Sequence, residues 1–142
     1  MSDTVLLVDD EVEFVETLAE RMRARGLQVD TAHDGVQALQ KTAKKRYDAI
    51  VLDLAMPGMT GMEVLQKLRQ ENPDRQIILL SGQGTVQTAV EATKLGAMDF
   101  LEKPTEIDVL LEKIRDARTK RLAIDMKRSE EEIADLVRRR GW

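Results

Sequence analysis

The 142 residues predict an α/β domain built on a doubly wound, five-stranded parallel sheet with helices on both faces, plus a helical extension at the C-terminus. Three observations carry that prediction. Short apolar runs rich in β-branched residues alternate with amphipathic segments of helical period. Glycines and capping residues punctuate the junctions. The runs end in polar side chains, Asp9–Asp10, Asp53, Ser81 and Lys103, at the strand ends where parallel sheets collect their chemistry.

The first run, "TVLLV" (4–8), is continuously apolar, as expected of a strand covered on both sides. A helix over 11–25 follows, closed by Gly26 in the position after the cap. "QVDTA" (28–32) is a weaker strand, and "HDG" leads into a helix over 35–46. The Lys/Arg-rich end of that helix, "KTAKKR" (41–46), reads as a solvated terminus whose cations favour the dipole. "AIVLDL" (49–54) is a second buried strand. Thr60, with Glu63 three residues later, forms a capping box for a helix over 61–71. "IILLS" (77–81) reads as a buried strand, 85–95 as a helix ending at Gly96, and "MDFLE" (98–102) as a weaker strand. A helix over 105–118 opens with Thr105 and Asp108. His33 falls in a loop beside Asp34–Gly35, and Met56, Met59 and Met62 read as packing and loop anchors.

Composition narrows the class. With 42% hydrophobic and 34% charged residues, the chain fits one soluble domain able to bury a core without staples. The absence of Cys excludes disulfides and thiolate metal sites. The start, "MSDTVLL", lacks the features of a signal peptide, and no apolar run reaches membrane-spanning length, so a cytoplasmic protein is expected. The net charge of −4 divides into −6 over residues 1–118 and +2 over 119–142. An acidic body argues against direct nucleic-acid binding through it.

In "LLVDDEVEF" (6–14) an apolar strand breaks into Asp9, Asp10 and Glu11. With Asp53 from a neighbouring strand end, these carboxylates would raise one another's pKa. A hard divalent cation removes the conflict, and Mg²⁺ suits it because it takes one or two carboxylates, keeps waters and binds phosphate oxygens. The plainer alternative is that Asp9 and Asp10 cap the following helix. Beside a metal, Asp53 can act as a nucleophile toward a phosphoryl group. Lys103 then supplies a point charge and Ser81 a hydroxyl, with Gly82 and Gly84 loosening the loop behind it.

"VDDE", "VLDLAMPGMTG", "LLSGQGT" and "DFLEKP" together resemble the receiver domain of two-component response regulators, in order and spacing, over about residues 3–118. The segment from Ser81 to Pro104 is most similar to receivers of nitrogen-regulation-type, enhancer-binding activators. The resemblance implies a flavodoxin-like sheet of order 2-1-3-4-5. It also implies that Asp53 accepts a phosphoryl group from a sensor histidine kinase. It places Mg²⁺ on Asp10, Asp53 and the Ala55 carbonyl, with Asp9 acting mainly through water. Ser81 and Lys103 would bind the phosphoryl oxygens, Phe100 would be the switch aromatic, and Lys103–Pro104 would be cis. Phosphorylation and dephosphorylation would be self-catalysed, in a signalling domain rather than an enzyme. Ala55 and Gln83 depart from common receiver patterns at positions that tune phosphoryl lifetime.

Other functions fit less well. A phosphohydrolase of haloacid-dehalogenase type needs a second Asp two residues after the nucleophile, where Ala55 stands. A flavin or dinucleotide module needs a phosphate-cradling first loop, whereas "VDDEVEF" repels anions. A receiver-like partner-binding domain without phosphorylation would not need Asp10, Asp53, Ser81 and Lys103 together.

Residues 119–142 exceed a receiver and read as a helical tail or linker after a 1–118 domain. Ser129 and Glu132 form a capping box, acids fill 130–132, and Arg138–Arg140 precede Gly141, which predicts a separate short helix at about 130–140. Leu122, Met126, Ser129, Ile133 and Leu136 alternate spacings of four and three, a coiled-coil-like stripe. The tail either packs on its own domain or pairs with a second chain as the start of a linker to an output domain. Pairing is favoured, because Leu110, Leu111, Ile114 and Ala117 already serve the domain core.

Overall fold

The computed structural model describes residues 3–82 and 85–141. Gln83 and Gly84, which the sequence places in the loop after Ser81, and Trp142 lie outside them. The elements run β1 (Thr4–Val8), α1 (Val12–Ala24), β2 (Gln28–Ala32), α2 (Gly35–Lys44), β3 (Ala49–Leu52), α3 (Gly61–Glu71), β4 (Ile77–Ser81), α4 (Val86–Lys94), β5 (Asp99–Glu102) and α5 (Ile107–Arg139). The sheet is parallel throughout, in the order β2-β1-β3-β4-β5.

Strand alternation splits the core into two layers. On one face Val5, Leu7, Val51, Ile78 and Leu80 meet Val15, Ala19 and Met22 of α1 and Leu110, Ile114 and Ala117 of α5. On the other, Leu6, Ile50, Leu52, Ile77 and Leu79 meet Val64, Leu65 and Leu68 of α3 and Ala92 of α4. The continuous apolar runs exist because both faces are covered. Met56 is buried, and Met59 and Met62 pack on the second layer, as anchors should.

Helix ends follow the sequence signals in most places. Gly26 (φ 91°) and Gly96 (φ 101°) hold the left-handed conformation that closes α1 and α4. The Thr60–Glu63 capping box is present. Gly61 has a different reason to be glycine. A Cβ there would lie 2.2 Å from the Asp53 carbonyl oxygen and 2.6 Å from Leu54 Cα, so only glycine lets α3 dock behind the β3 terminus. Gly61→Ala should therefore destabilise the fold by about 1–3 kcal/mol in chemical denaturation. A change within error would mean that the β3–α3 loop yields freely.

Two expectations are corrected. The separate short helix expected at about 130–140 is not there: α5 is one helix of 33 residues that passes through Ser129 without a break. No Gly or Pro lies between Ile107 and Arg139, and extending an existing helix costs far less than nucleating a new one. Nor does the last helix open at Thr105: α5 begins at Ile107. Glu106 holds the N-cap position without a side-chain cap hydrogen bond. The "KTAKKR" end is exposed as expected, and within it Lys45 pairs with Asp30 at 3.1 Å and Arg46 with Asp125 at 2.9 Å.

Candidate functional site

Strand register builds the site. Val8 lies beside Leu52, and the Asp53 N–H donates to the Val8 carbonyl at 2.8 Å, which sets Asp9 and Asp53 side by side at the carboxyl edge of the sheet. Carboxylate oxygens of Asp9, Asp10 and Asp53 all lie within 4.8 Å of one another. Asp9 is 4% exposed and Asp53 5%, whereas Asp10 is half-buried. The capping alternative is not what α1 shows. Its N-cap is Glu11, without a side-chain cap bond, and Asp9 instead accepts the Glu11 N–H at 2.9 Å.

Lys103 enters from the end of β5. Its N–H donates to the Ser81 carbonyl at 2.9 Å, and the Lys103–Pro104 bond is cis. The ammonium lies 2.6 Å from Asp9 Oδ2, 3.5 Å from Glu11 Oε1 and 3.7 Å from Asp53 Oδ1. Ser81 is buried at the same edge. Phe100 stands apart, half-buried against the layer that contains Leu79 and Ala92, and Ala55 is exposed in the loop two residues past Asp53. Sequence reasoning missed Phe14, whose ring lies 4.3 Å from the Lys103 ammonium. It is the aromatic in the first turn of α1, and that placement at the edge was the available signal.

The electrostatics are those of an under-neutralised cup. Burial pushes the Asp53 carboxyl up to about 6, Asp9 adds to the rise, Lys103 opposes it, and Asp10 and Glu11 raise it further. Burial disfavours the Lys103 cation, but its hydrogen bond to Asp9 and the charges of Asp53, Asp9 and Glu11 outweigh that, and its pKa is raised. One ammonium thus faces three carboxylates, with Asp10 beside them unneutralised by it. An all-oxygen donor set with surplus negative charge fits a hard divalent cation.

A doubly wound sheet with this acidic cup, a lysine and a hydroxyl at its carboxyl edge is the architecture of a signalling receiver. Residues 5–115 match the response regulator receiver domain. The chain belongs to that family and is a receiver domain of two-component signalling. It is 38% identical over 137 residues to the response regulator MprA of Mycobacterium ulcerans, covering 96% of this chain and 57% of that one. It is also 38% identical over 122 residues to the C4-dicarboxylate transport transcriptional regulatory protein DctD of Pseudomonas aeruginosa, covering 85% and 26%. The receiver domain of NtrX from Brucella abortus superposes with a TM-score of 0.76 at 31% identity, covering 81% and 98%. The chain thus spans little more than half of one regulator's length and about a quarter of the other's. Among the described residues, no helix is long and apolar enough to cross a membrane.

Proposed function

We propose that Asp53 is the phosphoacceptor: a carboxylate oxygen attacks phosphorus, the bond to a histidine nitrogen of a sensor kinase breaks, and an aspartyl phosphate forms. The observation that supports this most directly is the convergence of three carboxylates within 4.8 Å beside a lysine 3.7 Å from Asp53. Mg²⁺, held by Asp10, Asp53 and the Ala55 carbonyl with Asp9 acting mainly through water, would neutralise the charge of carboxylates and phosphoryl oxygens. The remaining work belongs to side chains. Lys103, already poised between Asp9 and Asp53, pairs with a phosphoryl oxygen. Ser81 donates its hydroxyl to another, and its inward movement vacates space that Phe100 fills. Dephosphorylation is carried by the same site, with water as the acceptor. Positioning and charge neutralisation suffice for such transfer, so the domain switches an output rather than processing a substrate.

The reading extends to partners. Residues 1–118 form the receiver and 119–142 the tail or linker, in a protein working in the cytoplasm. An effector or a following domain takes the output, and the receiver itself touches no nucleic acid. Leu122, Met126, Ile133 and Leu136 lie exposed along α5, which supports pairing with a second copy.

Titration with Mg²⁺ and beryllofluoride, a phosphoryl mimic, tests the switch. Amide resonances near Asp53 and across 85–102 should shift together in the wild type. In Ser81→Ala the shifts near Asp53 should persist while those in 85–102 shrink. Equal shifts in both proteins would remove Ser81 as the coupler, and no shift in either would overturn the phosphoacceptor reading.

A further inference from the structure

Helix α5 buries no residue after Ala117, yet it continues to Arg139. What holds residues 119–128 against the body is charge. Arg121 reaches Asp48 at 2.6 Å, and Asp48, at the root of β3, also accepts the Thr4 N–H at 2.8 Å and the Thr4 hydroxyl at 3.0 Å. Asp125 receives Arg46 at 2.9 Å and lies 3.7 Å from Arg121 Nε. One helical turn further on, Arg128 pairs with Asp74, in the loop before β4. Positions 121, 125 and 128 share a helix face, so α5 turns one charged face to the amino edge of the sheet. Ile124 is the half-buried aliphatic on that side, while Leu122 (42% exposed) and Met126 (66%) look elsewhere.

We propose that this ion-pair clasp decides whether residues 119–139 are helical, so that the tail orders or melts as a strap fastened to the amino edge of the sheet, opposite the phosphoacceptor. Most helical stability in proteins comes from tertiary packing rather than from propensity, and beyond Ala117 this helix has no buried apolar face to supply it. Exposed ion pairs contribute little one by one, which makes the Arg46–Asp125 and Arg128–Asp74 pairs secondary. The Arg121–Asp48 pair differs, because the Asp48 side chain is 8% exposed and that of Arg121 20%. There the Coulomb attraction is less screened, and an unpaired buried carboxylate is costly. The hydrogen bond from Arg46 holds the Asp125 carboxyl below its ordinary pKa, consistent with a formed pair. The clasp moves the structural end of the domain from 118 to 128. This inference does not depend on the tail pairing with a second copy or on phosphorylation of Asp53.

Hydrogen exchange on the full chain, read by mass spectrometry, tests it. Asp48→Asn combined with Arg121→Gln removes the central pair without stranding a charge. Amides of 119–139 should then exchange at least tenfold faster, while those of β1 and β3 stay within twofold. Wild type in about 0.5 M NaCl, where the Debye length is only about 4 Å, should move in the same direction. Arg46→Gln, which opens the more exposed Arg46–Asp125 pair, should accelerate tail exchange by less than the double variant. Unchanged exchange in the double variant would show that the helix stands without the clasp and overturn the proposal. Equal acceleration in β1, β3 and the tail would overturn it too, by making Asp48 a support of the whole sheet.

Discussion

Replacing Asp53 by Asn should abolish covalent labelling of the chain by a small phosphodonor in the presence of Mg²⁺. Wild type should gain one phosphoryl group in intact mass spectra, lose it at alkaline pH as an acyl phosphate does, and fail to gain it when a chelator is present. Asn keeps the shape of the side chain but lacks a nucleophilic oxygen anion, so the loss should be complete rather than partial. Asp9 and Asp10 stand in the same cup, which makes the comparison stringent. Undiminished labelling of Asp53→Asn would assign the acceptor to one of them and overturn the site.

The same substitution should stabilise the cation-free protein, and this is the larger thermodynamic effect. The Asp53 carboxyl is pushed up from 3.8 to about 6 in the folded state. A raised carboxyl means that the folded form binds the proton more tightly than the unfolded form, so ionisation works against folding. Below about 4 both states hold the proton and Asp53→Asn should be close to neutral. As pH rises from about 4 to 6 the wild type loses stability that the variant keeps, and above 6 the gap should reach about 2–3 kcal/mol. Added Mg²⁺ should narrow the gap by stabilising the wild type more than the variant. Denaturation midpoints at pH 4 and pH 7.5 measure it. A variant no more stable than wild type at pH 7.5 without cation would mean that Lys103 already neutralises the cup.

Most of the fold was legible, because the three central strands β1, β3 and β4 are covered on both faces and read as unbroken apolar runs. β1, β2, β4 and α3 fall where the sequence put them. The polar cluster at the carboxyl edge was legible for a related reason: Asp9, Asp53 and Ser81 are polar where the pattern has just been apolar. The tail was not. Ser129 and Glu132 carry a real capping signal, but a helix already running past them needs no start. The start of α5 shifted too, from Thr105 to Ile107, with Glu106 at the cap position. Arg46 and Asp125 are 79 residues apart, and no local pattern announces that such charges will meet. Phe14 over Lys103 belongs to the same class of tertiary contact.

The length of α5 has a geometric consequence. From Ala117, its last buried residue, to Arg139 the helix axis runs about 33 Å, nearly twice the length of a five-residue strand. A rotation of about 10° at Ala117 would carry the far end through about 6 Å, enough to shift a helix by a full turn against a neighbour. A small adjustment of packing between α5 and the sheet thus becomes a displacement large enough to make or break a contact at the tip. With the clasp closed the fulcrum lies at Arg128, and the same angle sweeps only about half that distance; with the clasp open the segment melts and carries no angle at all. Transmission, in the sense of a clutch, is then set by whether the ion pairs are closed rather than by the size of the motion at the sheet.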